Sequence, residues 1–143
     1  MKTKLLQERG QKTYVLVFNT GDEVITGLLD FAQKHDLGGS HFTAIGAFSN
    51  LIVGYFDWEK KDYKKIPFTE QVEVLSLVGD IALDQGEPKV HAHVVVGKAD
   101  GTAHGGHLLK AHVRPTLEVI LVEAPQHLQR KPDKESGLAL LRL

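Results

Sequence analysis

Along most of this chain apolar and polar positions alternate with a period of two, and one stretch departs to the helical period. Lys12 to Phe18 (KTYVLVF) is rich in β-branched and aromatic residues and predicts a first strand. Val24, Ile25, Leu28, Leu29 and Ala32 then recur at helical spacing, which predicts a helix from about Asp22 to His35. Asn19 or Thr20 can cap it, Asp22 and Glu23 suit its positive end, and Gly38-Gly39 stops it. Strand character returns at Phe42 to Phe48, with Gly46 as a bulge, and at Leu51 to Asp57. A turn through Glu59 to Lys61 leads to an amphipathic strand at Tyr63 to Ile66, and Gln71 to Leu83 is another strong strand. Gly86-Glu87-Pro88 breaks the chain before a histidine-rich segment, and Pro115 opens a last central strand, Thr116 to Glu123. In the polar tail, Leu138, Leu140, Leu141 and Leu143 predict a short closing strand. The expectation is one α+β domain over residues 1–143: a curved, mostly antiparallel sheet of seven or eight strands, a partial barrel, with one main helix.

The histidine-rich segment, Lys89 to Glu123, holds the cleanest alternation. Val90, Ala92, Val94 and Val96 fall on one strand face, and His91, His93 and Val95 on the other. Asp100-Gly101 signals a hairpin turn. A two-residue loop would set His107 across from Val94, on the wrong face. A three-residue loop, Ala99-Asp100-Gly101 with Gly101 left-handed, sets His107 across from His93, at a Cβ separation of about 5 Å. That register gathers His91, His93 and His107, and Gly105-Gly106 leaves room beside them. The chain has no cysteine, so histidines and carboxylates are its available metal donors. Three neutral imidazoles suit Zn²⁺ with an open fourth position, or another divalent transition metal.

Charge narrows the function classes. Net charge is -1 with neutral histidines, a poor footprint for DNA binding by this domain alone. Lys60, Lys61, Lys64 and Lys65 cluster, but Asp57, Glu59 and Asp62 interleave with them, as at a solvated hairpin tip. MKTKLLQERG lacks the apolar core of a signal peptide and no run reaches a membrane span, so a cytoplasmic location is expected. No nucleophile elbow, P-loop or dinucleotide fingerprint occurs. Glu118 stands inside an apolar strand between Leu117 and Val119. A buried carboxylate needs a partner. Glu118 is the candidate to orient a histidine or act as a general base, against a simple solvated position or a pairing with Arg114.

The segment HAHVVVGKADGTAHGGHLLKAHVRPTLEVILVE, with TAIGAFSNLIVGYFDWEKKDY and VEVLSLVGDIAL before it, resembles the prokaryotic PPC (plants-and-prokaryotes-conserved) domain across nearly the whole chain. The resemblance implies an α+β fold and a homotrimer. It also implies a fold related to acetolactate decarboxylase, whose zinc-binding H-x-H pair and later histidine fall by motif position on His91, His93 and His107. Plant members carry a DNA-contacting AT-hook, and this sequence has no R-G-R-P-type hook. The first functional expectation is a trimeric protein with a three-histidine metal site and a DNA-associated or regulatory role, DNA contact by this chain being weak. The alternative is a small metal-dependent lyase or hydrolase, so enzymatic activity is left open. A third reading has the histidines hold subunits together without metal.

Overall fold

A computed structural model describes residues 1–7 and 10–143. Among the described residues nine strands and one helix follow in order: β1 Lys2–Gln7, β2 Lys12–Asn19, α1 Val24–His35, β3 Gly39–Asp57, β4 Asp62–Phe68, β5 Val72–Asp84, β6 Glu87–Gly97, β7 Ala103–Glu123, β8 Gln129–Pro132 and β9 Ala139–Arg142. All strands belong to one sheet. Every described pairing is antiparallel except β5 with β8. β3 pairs β7 and β5, β5 pairs β6, and β6 returns to β7, so the sheet closes on itself over part of its extent without forming a full barrel. The α+β class and the curved sheet are as expected.

Strand boundaries differ from the expectation in ways that have physical causes. The two strands expected at Phe42 to Phe48 and Leu51 to Asp57 are one continuous β3. Its bend is absorbed by bulges around Gly46, which has φ +152° and lies so close to Leu117 that a Cβ would strike the Thr116 carbonyl. The second arm of the histidine hairpin and the last central strand are likewise one β7 of 21 residues. The tail forms two short strands, β8 and β9, rather than one. β1 had no clear apolar alternation to announce it. Among the described residues no helix is long and apolar enough to cross a membrane.

α1 starts two residues later than expected because Glu23 is its N-cap. The carboxylate accepts from Ile25 N and Thr26 N at 3.3 and 2.8 Å. Asp22 instead closes the preceding turn by accepting from Asn19 N. Val24, Leu28, Phe31 and Ala32 face inward. They meet the inner faces of the strands: Leu16 and Phe18 of β2, Phe42 of β3, Leu77 and Ile81 of β5, and Leu117 and Leu121 of β7. One face of the sheet is thus covered by the helix. The outer face is not: Ile45, Leu75 and Val78 remain 61%, 54% and 48% exposed, and Val95 and Ile120 are also exposed.

Candidate metal centre

The turn that builds the centre is the three-residue one. Lys98 N donates to Thr102 O and Gly101 N to Lys98 O, while Gly101 sits at φ +81°. The Asp100 carboxylate accepts from both the backbone N and the hydroxyl of Thr102. This closure sets β6 against β7 in the register His93↔His107, Val94↔Gly106, Val95↔Gly105, Val96↔His104. Ala92, Val94 and Val96 are buried in the core, so the face carrying His91 and His93 must point outward.

The register gathers the three histidines as expected. One ring nitrogen from each of His91, His93 and His107 lies within 4.8 Å of the others. The Nε2 atoms of His91 and His93 are 3.2 Å apart. Burial, then the neighbouring His91 and His93 rings, push the His107 pKa down to about 4. Burial also lowers that of His91, and the nearby Asp80 carboxylate only partly offsets this. Both imidazoles are therefore neutral at neutral pH, the form that ligates a metal. His107 Nδ1 is buried with no hydrogen-bond partner. A buried polar nitrogen without a partner is costly, and a divalent cation among three neutral imidazoles removes that kind of cost. The donor set fits a borderline-soft transition ion rather than Mg²⁺ or Ca²⁺, which prefer oxygen.

Three residues that the sequence did not single out complete the surroundings. Asp80 of β5 stands directly across from His91, its Oδ2 3.9 Å from His91 Nδ1. Arg130 of β8, its side chain 4% exposed, donates to Asp80 and to the Ala139 carbonyl. Tyr63 of β4 stacks on the His107 ring with centroids 4.6 Å apart. A signal for Asp80 was present: Gln85 and Gly86 both have positive φ and form a two-residue hairpin loop, whose register opposes Asp80 and His91. In the sequence Gly86-Glu87-Pro88 reads as a chain break.

Glu118 is not brought to the histidines. It lies across from Val17 and Ile45 on the exposed outer face, beside a shallow groove with Ile120, Leu75 and Val78. Glu118 pointed outward because β7 buries Leu117, Val119 and Leu121 on the other side. His104 lies opposite Val96, near Phe68, and His112 bonds Asn50. The lysine cluster sits at and beside the β3–β4 turn, where Lys61 lies over the Trp58 ring.

Against known proteins, the model for the Plants and Prokaryotes Conserved (PCC) domain matches residues 6–125. The chain belongs to this family. The PCC fold recurs in a crystal structure of a plant- and prokaryote-conserved (PPC) protein from Pyrococcus horikoshii. That protein is 36% identical, covering 99% of this chain and 95% of its own at a TM-score of 0.87. A metal-containing protein from Archaeoglobus fulgidus is 30% identical, covering 99% and 97% at a TM-score of 0.85. A candidate DNA-binding protein from Ralstonia eutropha JMP134 is 30% identical, covering 91% and 90% at a TM-score of 0.86. Curated relatives are the bifunctional protein GlmU of two Synechococcus strains, 28% identical over 135 residues. The PCC chain spans about a fifth of their length.

Proposed function

We propose that this PCC-family chain is a homotrimeric metal-binding protein whose ion is held by His91, His93 and His107. The observation that carries the reading is the convergence of three ring nitrogens within 4.8 Å. The metal-containing relative from Archaeoglobus fulgidus supports it. Zn²⁺ is the ion we assign, since three neutral imidazoles leave its fourth position open. With that position open, such an ion polarises a carbonyl or lowers the pKa of a bound water. Asp80, 3.9 Å from His91 Nδ1, then favours the His91 tautomer with its proton on Nδ1, and Arg130 holds Asp80. Protein purified without a histidine tag should carry about one equivalent of metal per chain. His93 is exposed, so His93→Ala should unfold within about 0.5 kcal/mol of the parent when both are metal-free. The same variant should lose stoichiometric metal. Elemental analysis showing full metal content in His93→Ala would reject the site.

The biological role we assign is regulatory and DNA-associated, following the candidate DNA-binding relative, with the DNA contact made by partners of the chain. A net charge of -1 gives this chain little attraction to phosphates. In a gel-shift assay at physiological salt, the purified protein should form no nanomolar complex with any defined duplex. A second reading, a small metal-dependent lyase or hydrolase, is favoured by the cavity that opens beside His91 and His107.

A further inference from the structure

The half-open cavity lined in part by His91 and His107 has a volume of about 500 Å³, a small-molecule size. Its walls are chiefly apolar: Tyr63, Val90, Leu138, Ala139, Leu140 and Leu141. The last four belong to the tail, outside the stretch matched by the family model. Leu140 and Leu141 remain 38% and 41% exposed there. The charged groups of the wall neutralise each other. Arg130 is taken by Asp80, and Lys89 Nζ lies 3.0 Å from Asp84. Among the described residues, each cation of the wall thus has a carboxylate partner. A divalent ion held by the histidines would be the strongest attraction there for negative charge.

We propose that this pocket binds a monocarboxylate with an apolar chain of medium length, its carboxylate at the three-histidine centre and its chain along the tail leucines. The proposal rests on the metal reading above. Size, apolar walls and one anion-seeking end favour an amphiphile with a single charge over phosphorylated and polyanionic ligands. Each methylene that leaves water strengthens binding by up to about fourfold.

The test uses the full chain, purified without a tag and loaded with Co²⁺, titrated with acetate, butyrate, hexanoate and octanoate. Visible absorption of the cobalt and calorimetry read the binding. Octanoate should perturb the cobalt spectrum and bind at least about tenfold more tightly than acetate. Leu140→Ser and Leu141→Ser should reduce that preference while cobalt stoichiometry and acetate affinity stay unchanged. Both leucines are substantially exposed, so these variants should fold. Normal cobalt binding with no dependence on chain length overturns the proposal and leaves the metal reading standing. So does equal octanoate binding by the metal-free protein. A fall in light-scattering mass in the leucine variants would identify the wall as an interface between copies and also overturn it. Failure to bind cobalt at all would overturn the metal reading and the proposal together.

Discussion

Asp80 and Glu118 present the same sequence pattern, a lone carboxylate in an apolar strand, and the structure gives them opposite circumstances. Asp80 faces His91 across the β5–β6 ladder and is held by the buried Arg130, whereas Glu118 projects into solvent among apolar neighbours. A carboxylate that orients a ligating imidazole is worth about 10- to 100-fold in metal affinity. Asp80→Asn should therefore weaken Zn²⁺ binding by at least about tenfold, and Glu118→Gln should leave it unchanged. Competition against a chromophoric chelator measures both. Equal affinities in the two variants would remove Asp80 from the centre. The difference between the two residues was hard to read in the sequence because a single strand reports which face a residue is on, and not which residue stands opposite. His91, His93 and His107 were legible because a turn with a definite loop length joins their strands.

At the level of elements, the histidine hairpin and the helix show two degrees of legibility. Asp100 and Gly101 confined the loop to a few geometries, and only one put three histidines on one face. The long strands were less legible. Gly46 and Pro115 look like chain punctuation, yet β3 and β7 continue past them: β3 is paired on both sides at Gly46 and bulges there absorb the bend, and β7 pairs with β3 again on either side of Pro115. The start of α1 is hard to read for a different reason: Glu is not among the usual capping residues. Glu23 caps here because it also reaches Ala111 N of β7 at 3.2 Å, tying the helix to the sheet. Burial raises its pKa, but the bonds from Thr26, Ala111 and Ile25 outweigh this and hold it below the usual 4.5. A carboxyl depressed in the folded state contributes stability above the unfolded pKa and loses it as pH falls through the folded one. Glu23→Ala should thus cost about 1 kcal/mol at pH 7. That cost should shrink progressively below about pH 4.5, as followed by urea unfolding. A pH-independent difference would mean that the ionised carboxylate contributes nothing.

Over the whole molecule, the one helix covers one face of the sheet and leaves the other face bare. Cross-strand neighbours on that outer face run in an unbroken row from Val15 through Ile120, Thr43 and Val78 to His93 and His107. Ile45, Leu75 and Val95 stand beside the row, all exposed. A contiguous apolar face of this kind marks an interaction surface, and in a chain that forms closed assemblies it meets copies of itself. Because the row ends on His93 and His107, the metal centre lies at the margin of the same face. Trimer formation and metal occupancy should therefore be coupled. Light scattering of the purified protein at micromolar concentration should give a mass near three times 15.8 kDa. Val78→Asp and Ile120→Asp place a charge on the bare face without touching the core. Each should shift the protein toward monomer, and Ile120→Asp, which pairs with none of the three histidines, should lower metal occupancy through that shift alone. Circular dichroism of the variants distinguishes dissociation from unfolding. A stable 15.8 kDa species in the parent protein would refute the trimer. A folded Val78→Asp trimer of unchanged mass would show that some other surface joins the subunits.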